Sequence, residues 1–350
     1  MENKYTKSDL LQFQSLPLGA KINHCKLRLR DWVDHYGVDN VYISFSGGKD
    51  STVLLHIARE MYPNIKAVFI DTGLEYPEIR DFVKTFDNVD WIKPKKNFKQ
   101  VIQEYGYPLI SKEVSDAVYE VQRFKEKGKI KKSVRYKRLY NELTDKDGKL
   151  SRYNIPQWRF LIDAPFRISP KCCDVMKKAP AKEYERKTGR KPITATTCSE
   201  SKLRETKWLK AGCNAFENKR PISNPMSIWT EQDVLLYIKK NNIKIASVYG
   251  DIVKDYKKIN QVEGQISLND ILGKDDDTTI PLKTTGCDRT GCVFCGFGCH
   301  LEKESRFKRL KDTHPKLYEY VFKPSEAGGL NYKEVIDWIN ENGEKVNIKY

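Results

Sequence analysis

A six-residue segment, Ser46-Gly47-Gly48-Lys49-Asp50-Ser51, constrains the fold of this chain more than any other feature. It follows the apolar run 41–45 and precedes a helical pattern over 52–58. Paired glycines let the backbone approach an anion closely, and the start of a helix offers free N–H groups and the positive end of a dipole. The sequence therefore predicts a phosphate-binding turn between a strand and a helix.

The segment also carries groups suited to a nucleotide. Ser46 and Ser51 supply hydroxyls, and Lys49 supplies a neutralising charge. The GxxxxGK[ST] spacing of P-loop proteins is absent. The segment instead resembles the SGGxDS loop of the ATP pyrophosphatases. This resemblance implies that residues 46–51 bind the phosphates of ATP with Mg²⁺, that Lys49 and Asp50 are catalytic, and that AMP passes to a substrate. The competing interpretation is an ordinary strand-to-helix turn with a capping residue.

Apolar strands alternate with helical patterns on both sides of this loop. Strands are expected over 41–46, 65–71, 89–92 and 192–196, with helices over 52–62, 77–86 and 201–211. Nearly continuous apolar strands that alternate with helices predict an α/β fold with a doubly wound, mainly parallel sheet. Ligands in such sheets bind at the carboxyl ends of strands, where Ser46 and Asp71 stand. We expect Asp71 to contact the nucleotide or a magnesium ion; the alternative is helix capping.

The chain divides into three parts by its sequence pattern. Residues 1–40 predict an N-terminal helical segment, and 41–245 predict the nucleotide domain, interrupted by an insertion at about 111–160. Residues 246–350 hold a cysteine cluster and helical patterns, after a polar, loop-rich stretch at 250–285.

Positive charge is in excess. The net charge of the 350 residues is +16, and nine basic residues fall between Arg123 and Arg138, where Tyr136 is interleaved and Tyr140, Tyr153 and Trp158 follow. Basic and aromatic side chains together can follow a phosphate backbone and stack on bases, which favours tRNA or DNA as a partner. The alternative is a solvated helical insertion with a charged face.

No run of about 18 apolar residues is present, and the mean hydropathy is −0.65. The first residues lack the apolar core of a signal peptide. These observations predict a cytoplasmic location without membrane contact.

A second motif, Glu200-Ser201-Lys202-Leu203-Arg204, follows the strand at 192–196. Because a guanidinium donates two hydrogen bonds, Arg204 suits a phosphate or sulfate. With the SGGKDS loop, this segment resembles the Glu-Ser-x-x-Arg signature of the phosphoadenosine phosphosulfate (PAPS) reductase family within the ATP pyrophosphatases. The resemblance covers roughly residues 20–310, and it implies that Glu200 and Ser201 bind the nucleotide or substrate and that Arg204 is catalytic. The alternative is a helix-start serine among surface charges.

Nine cysteines in a chain without a secretion signal favour metal ligation over disulfides. Cys172, Cys173, Cys292 and Cys295 are similar to the iron–sulfur ligands of the adenylyl-sulfate reductases, and this resemblance implies a [4Fe–4S] cluster. A second possible quartet, which suits a structural Zn²⁺ or an iron–sulfur cluster, lies within one loop: Cys287, Cys292, Cys295 and Cys299. The residues alone leave both sets open.

One departure from the reductases bears on the reaction. Those enzymes use a cysteine in a C-terminal segment, whereas Cys299 is the last cysteine here, and the SGGKDS loop is intact. The sequence therefore favours adenylation of a substrate, followed by sulfur transfer to a nucleic acid, with a sulfur donor such as a cysteine desulfurase and with the cluster or Cys198 as carrier. The alternatives are a sulfonucleotide reductase that releases sulfite and a nucleic-acid-binding module with structural zinc.

Overall fold

The computed structural model describes residues 3–256 and 280–350. The strands are β1 Val41–Ser44, β2 Ala67–Ile70, β3 Val89–Ile92, β4 Leu109–Ile110, β5 Lys191–Ile193, β6 Asn214–Ala215, β7 Ile222–Ser223, β8 Ile252–Lys254, β9 Leu282–Thr284 and β10 Gly296–Phe297. The helices are α1 Lys7–Ser15, α2 Leu18–Tyr36, α3 Lys49–Met61, α4 Pro77–Lys84, α5 Phe98–Tyr105, α6 Lys112–Glu126, α7 Val134–Leu139, α8 Lys171–Cys173, α9 Ala179–Thr188, α10 Lys202–Ala211, α11 Glu231–Lys240, α12 Arg306–Thr313, α13 Pro315–Phe322 and α14 Tyr332–Asn342.

The central sheet has six strands in the order β3-β2-β1-β5-β7-β6. All neighbouring pairs are parallel except β6 with β7. The chain first moves outward from β1 to β3 and then returns to the other side of β1 with β5. Since parallel crossovers are right-handed, this reversal places helices on opposite faces of the sheet. The predicted doubly wound α/β fold with a mainly parallel sheet is therefore confirmed.

The reversal also positions the glycine loop. β1 and β5 are hydrogen-bonded neighbours, with Ile43 opposite Ile193, and their carboxyl ends flank the point where the winding changes direction. Ligands of open α/β sheets bind in the crevice at such a point. The SGGKDS loop leaves β1 at this position, and the segment that leads to Arg204 leaves β5 there.

Burial explains why this part of the fold is well defined. Val41, Ile43, Val53, Leu54 and Ile57 have no exposed surface. Both β1 and α3 are thus embedded in the core, and the loop between them has rigid elements on each side. Large apolar side chains contribute about 1.5–3 kcal/mol each when they are buried completely.

The N-terminal segment is helical, as predicted, but it forms two helices. A capping box between Thr6 and Asp9 begins α1, and Pro17 separates α1 from α2. Leu29 and Trp32 are completely buried, whereas Leu27 is 48% exposed. The apolar stripe of α2 passes through Cys25, Leu29 and Trp32, and Leu27 lies outside it.

By internal contacts the chain forms two compact units, each assembled from separate segments. The first contains residues 1–71, 75–93 and 181–290, which include the six-stranded sheet. The second contains residues 72–74, 94–180 and 291–350. The three-part division by sequence remains a prediction about how the chain is organised.

Smaller elements complete both units. In the first, β8 and β9 pair antiparallel at the two ends of the stretch expected to be rich in loops, and residues 257–279 of that stretch lie outside the described residues. In the second, β4 pairs with β10, and the insertion at 111–160 contributes α6 and α7. In the part of the chain that the structure describes, no helix has the length and apolar character needed to cross a bilayer.

Candidate nucleotide site and thiol cluster

The turn between β1 and α3 requires glycine at position 47. Gly47 has a φ of +71°, a left-handed conformation that glycine adopts without strain. A Cβ atom there would lie 2.7 Å from Val83 Cγ2 and 2.8 Å from Ile79 Cγ2, both on α4. The loop therefore packs directly against α4, and only a residue without a side chain fits.

The two loop serines bond to each other and to the loop backbone. Their hydroxyl oxygens are 3.1 Å apart, and Ser51 Oγ donates to the carbonyl of Gly48 at 2.9 Å. The backbone N–H groups of Ser46 and Gly48 donate to Ser51 Oγ and Ser46 Oγ at 3.2 and 3.3 Å. Ser51 is buried and Ser46 is exposed. These bonds hold the turn in one shape, and Ser46 alone of the pair faces solvent.

Lys49 is nearly buried at the first position of α3, with 2% of its surface exposed. Its Nζ lies 3.4 Å from Asp50 Oδ2 and 3.2 Å from Glu231 Oε1, and it donates to the carbonyl of Asp288 at 3.0 Å. Burial favours the neutral amine, but the carboxylates of Asp50 and Glu231 outweigh it and raise the pKa of Lys49 above its ordinary value. The ammonium is therefore charged and held in place at neutral pH.

A tyrosine hydroxyl covers the start of α3. The N–H of Lys49 donates to Tyr249 Oη at 3.1 Å, and Tyr249 Oη lies 2.7 Å from Thr290 Oγ1. Tyr249 is 2% exposed. Sequence analysis did not select Tyr249, Thr290, Asp288 or Glu231. Of these four residues, only Glu231 had a sequence feature that could have indicated a role in the site, its position in the first turn of α11. The other three lie in polar segments without a motif.

Asp71 follows β2, as predicted, and its side chain is buried. Its backbone N–H donates to the carbonyl of Ile92 in β3, and Arg80 Nη2 donates to Asp71 Oδ2 at 2.9 Å. The strand end thus presents a buried carboxylate in an ion pair with a half-exposed guanidinium. This arrangement positions Asp71 firmly at the strand end.

The second motif lies beyond β5. Ser201 is the N-cap of α10 and accepts a hydrogen bond from the N–H of Arg204, so one role of this serine is the capping considered as the alternative. Arg204 forms an ion pair with Glu200, and Arg289 lies 4.0 Å from the same carboxylate. Burial and the nearby Arg289 lower the pKa of Arg204, whereas Asp50 acts in the opposite direction.

That influence of Asp50 connects the two motifs. Arg204 and Asp50 are close enough to interact electrostatically, so the structure brings the SGGKDS loop and the Glu-Ser-x-x-Arg segment to one place. The resulting neighbourhood holds Lys49, Arg204 and Arg289 together with Asp50 and Glu200. It combines cations for a polyphosphate with carboxylates that could bind a divalent cation.

In the second unit, four thiols approach one another. Cys172 Sγ and Cys173 Sγ are 4.0 Å apart, and the thiols of Cys292 and Cys295 both act electrostatically on Cys172. A π-helical turn, Asp174–Lys178, follows immediately. Such turns change the direction of successive side chains and occur often at functional sites. The quartet favoured by the family resemblance is therefore clustered, although its four residues come from distant parts of the sequence.

The electrostatic environment shifts the pKa values of the two adjacent thiols, Cys172 and Cys173, in opposite directions. The S–H of Cys172 donates toward Cys173, and together with burial this interaction raises the pKa of Cys172. The same bond lowers the pKa of Cys173 to about 6, with Lys112 and Lys177 assisting. Thiolate at Cys173 is thus the favoured form near neutral pH. Soft thiolate ligands with compensating cations fit the chemistry of an iron–sulfur cluster or zinc.

The distances between these side chains do not match those of a formed metal site. Over residues 3–256 and 280–350, no set of three or more Cys, His, Asp or Glu side chains has the arrangement of a formed metal site. The donor chemistry fits a cluster, and the 4.0 Å contact between Cys172 and Cys173 shows thiols packed against each other. Iron–sulfur and zinc ligation accordingly remain predictions.

The rival quartet is divided between the units. Cys287 belongs to the first, whereas Cys292, Cys295 and Cys299 belong to the second. Cys299 donates to the carbonyl of Gly296 at 2.9 Å, and burial raises its pKa to about 12. Since a ligand must lose its proton, Cys299 would have to be deprotonated on binding, as would Cys172 and Cys295 of the other quartet, whose pKa values are also raised.

The basic segment carries less free charge than its sequence suggests. Among its nine basic residues, three form ion pairs with carboxylates of the same unit: Lys125 with Asp163, Arg135 with Asp116 and Glu120, and Arg138 with Glu113. Tyr136 and Tyr140 stack with centroids 4.1 Å apart, and the guanidinium of Arg159 lies 4.4 Å above Tyr140. The insertion is thus a folded helical element with an aromatic stack on its surface.

A family model matches the part of the chain that holds the loop and the second motif. The model of the phosphoadenosine phosphosulfate reductase domain matches residues 40–296. An uncharacterised protein of Methanocaldococcus jannaschii is 36% identical over 102 residues, which are 28% of this chain and 23% of that protein. A protein named probable FAD synthase from Caenorhabditis briggsae is 31% identical over 86 residues, 23% of this chain and 16% of that protein.

The chain thus spans less than a quarter of the length of these curated relatives. Among solved structures, the phosphate complex of phosphoadenylyl-sulfate reductase from Candida auris is similar with a TM-score of 0.36 and 15% identity; the match covers 73% of this chain and 98% of the other. The family model covers most of the chain and includes both motifs and all four clustered cysteines, with Cys295 close to the end of the match. This chain belongs to the phosphoadenosine phosphosulfate reductase domain family.

Proposed function

We propose that this protein is an ATP pyrophosphatase that cleaves ATP to AMP and pyrophosphate and transfers the adenylyl group to an acceptor. One observation carries the proposal: Lys49 is buried and charged at the start of α3, directly after a loop whose left-handed Gly47 admits no side chain. The family is enzymatic and uses nucleotides, which is consistent with ATP pyrophosphatase or sulfonucleotide reductase activity.

The chemistry follows from where charge develops. An acceptor oxygen attacks the α-phosphorus, the bond to the bridging oxygen breaks, and pyrophosphate leaves with the electron pair. Lys49, Arg204 and the N–H groups at the start of α3 would neutralise this charge. Asp50 and Asp71 are the carboxylates proposed to bind Mg²⁺, directly or through water. Ser46, Gly47, Gly48 and Ser51 would contact the phosphates, and Glu200 would orient Arg204.

The product of the Caenorhabditis relative supports adenylyl transfer. That protein is named a probable FAD synthase, and FAD contains an adenylyl group. Sulfonucleotide reduction is the second candidate, favoured by the thiolate character of Cys173. Release of sulfite from PAPS or adenylyl sulfate with thioredoxin, at a rate above that of ATP cleavage, would establish the reductase instead.

We further propose that sulfur transfer to a nucleic acid follows adenylation, with a sulfur nucleophile from a donor displacing AMP from the adenylated acceptor. The support is the clustered thiols of Cys172, Cys173, Cys292 and Cys295, and the exposed lysines and stacked tyrosines of the insertion. A [4Fe–4S] cluster bound by these cysteines would supply electron or sulfur chemistry. Cys198 is less suited to carry sulfur, because burial raises its pKa to about 12 and keeps the thiol protonated.

The test is product analysis with the full chain. Purified protein, Mg²⁺ and ATP are incubated with tRNA, DNA or small phosphorylated compounds, and nucleotides are separated by chromatography. We expect AMP and pyrophosphate, and a loss of about 10²–10³-fold in kcat for Lys49→Met. The matched control, Lys182→Met, changes an exposed lysine of the same unit and should remain active. Products of ADP and phosphate, or full activity of Lys49→Met, would refute the proposal.

A further inference from the structure

A cavity of about 460 Å³ opens beyond the carboxyl ends of β5 and β7, in the same unit as the SGGKDS loop. Thr196 and Cys198 from the end of β5, Asn224 from the end of β7 and one side of α10 line it. Its volume lies within the usual range of small-molecule sites, roughly 300–1,000 Å³. We call this space the β5 cavity.

The β5 cavity is lined by cations at a regular spacing. Arg204, Lys207 and Lys210 are three residues apart on α10, so they form one stripe along the cavity. Neither lysine forms an ion pair with any residue in 3–256 or 280–350. Two exposed lysines without carboxylate partners give the cavity a net positive charge.

The other lining residues give the cavity a polar floor and an apolar wall. Thr196 bonds to Thr194 at 3.0 Å, and Thr194 in turn bonds to Asn224, so these side chains form a fixed network at the strand ends. Trp208 and Ile222 contribute apolar surface. A ligand that combines an anionic group with an apolar body would match both parts.

Arg204 connects the β5 cavity to the nucleotide site. Its guanidinium lines the cavity and also interacts electrostatically with Asp50 of the SGGKDS loop. Since β5 is the hydrogen-bonded neighbour of β1, a molecule in the cavity lies beside the carboxyl end of β1, from which the loop leaves. A group held there is within the same crevice as the proposed ATP phosphates.

We propose that the β5 cavity binds a phosphate ester group of the molecule that accepts the adenylyl group, with Lys207 and Lys210 as its recognition residues. The inference rests on the proposed adenylyl transfer and defines the chemical class of its acceptor. Phosphate esters are strong acceptors of charge-assisted hydrogen bonds from ammonium groups. The acceptor is a small phosphorylated molecule or a phosphate of a nucleic acid, which share this chemistry.

The experiment separates this inference from ATP binding. The full chain is first titrated with α,β-methylene-ATP, a non-cleavable analogue, and binding is measured by calorimetry. The saturated protein is then titrated with inorganic phosphate and with phenyl phosphate. We expect saturable binding of both, with phenyl phosphate tighter because its ring contacts Trp208 and Ile222. Lys207→Gln/Lys210→Gln should weaken phosphate binding about tenfold or more and leave the affinity for the analogue within about twofold.

The control removes the same charge elsewhere. Lys182→Gln/Lys202→Gln changes two exposed lysines of the same unit, one of them on α10, and neither lines the cavity. Equal weakening in both double variants, or no saturable phosphate binding to the analogue complex, would overturn the inference. Failure to bind the analogue would instead refute the proposed function. If phenyl phosphate displaces inorganic phosphate from the β5 cavity and a short oligonucleotide does not, the acceptor is a small molecule. If the oligonucleotide displaces inorganic phosphate, the acceptor is a nucleic acid.

Discussion

The backbone N–H of Lys49 donates a hydrogen bond of 3.1 Å to the hydroxyl oxygen of Tyr249. This N–H belongs to the first residue of α3, so it is one of the donors that a helix leaves without an intrahelical partner. A phosphate bound at the same helix end would use the same donor. The tyrosine hydroxyl therefore occupies the position that a phosphate of the proposed nucleotide would take, and Thr290 is the second group that holds the hydroxyl there.

We expect Tyr249→Phe to lower the free energy of unfolding by about 1–2 kcal/mol, because a buried N–H loses its acceptor. Thr290→Val should cost a similar amount. Since the two hydroxyls bond to each other at 2.7 Å, the double variant should be less destabilised than the sum of the single variants. Urea denaturation of all four proteins provides this cycle. Strict additivity would show that the contact contributes nothing.

Gly47→Ala tests the packing of the loop against α4. The variant suffers both a left-handed conformation and contacts below 3 Å with Ile79 and Val83. We expect a loss of stability of about 2–4 kcal/mol and loss of ATP binding. Gly128→Ala is the matched control, since Gly128 has a φ of +62° and nothing within 4 Å of the added carbon. It should lose only about 1–2 kcal/mol.

The pH dependence of nucleotide affinity should report the charge of Lys49. Its pKa is raised above the ordinary 10.5, so the ammonium is present throughout the neutral range and is lost only as pH rises through the raised value. The stabilisation that charged Lys49 contributes to the fold is fully present below the pKa of this lysine in the unfolded chain. It is lost as the pH rises through the raised pKa in the folded protein. Glu231→Gln removes one carboxylate that raises the pKa, and the alkaline decline of ATP affinity should move to lower pH.

The control for this shift is Glu341→Gln, at an exposed glutamate in the other unit. Isothermal titration with the non-cleavable analogue between about pH 8 and 11 measures both variants, within the range set by an ordinary lysine pKa near 10.4. An unchanged alkaline decline in Glu231→Gln would show that Glu231 does not sustain the charge of Lys49.

Cysteine substitutions should reveal the metal ligands. Protein purified without oxygen should contain about four iron atoms per chain if a [4Fe–4S] cluster is bound. Cys172→Ser, Cys173→Ser, Cys292→Ser and Cys295→Ser should each lower the iron content severalfold, with loss of absorbance near about 400 nm. Cys287→Ser should retain iron, because Cys287 lies in the unit without the thiol cluster. One zinc per chain and colourless protein would contradict the cluster and favour structural zinc.

The local part of the nucleotide site was predictable from sequence, and its surroundings were not. Residues 46–51 form the expected turn because the left-handed conformation of Gly47 and the start of α3 directly after Gly48 are local properties of the chain. Tyr249 and Asp288 reach Lys49 from about 200 and 239 positions away. No periodicity or motif encodes such contacts, since they depend on the order of strands in the sheet.

The helices show the same distinction. The capping box of Thr230 and Asp233 joins residues three positions apart, so it is a local feature of the sequence. The π-helical turn after Cys173 has no comparable signal in the sequence. The sequence also contained no sign of the ion pairs within the insertion: Arg135 on α7 pairs with Asp116 and Glu120 on α6, which lie 19 and 15 residues earlier in the chain.

The contact of Gly47 with Ile79 and Val83 has a consequence for how related sequences can diverge. A related protein that no longer releases pyrophosphate does not need the phosphate-binding shape of this loop. Selection for glycine at position 47 is then relaxed. The side chains on α4 would obstruct a larger residue there unless they became smaller at the same time. Among relatives, replacement of this glycine should therefore be accompanied by smaller residues at positions 79 and 83, and such paired changes would mark lineages that no longer cleave ATP.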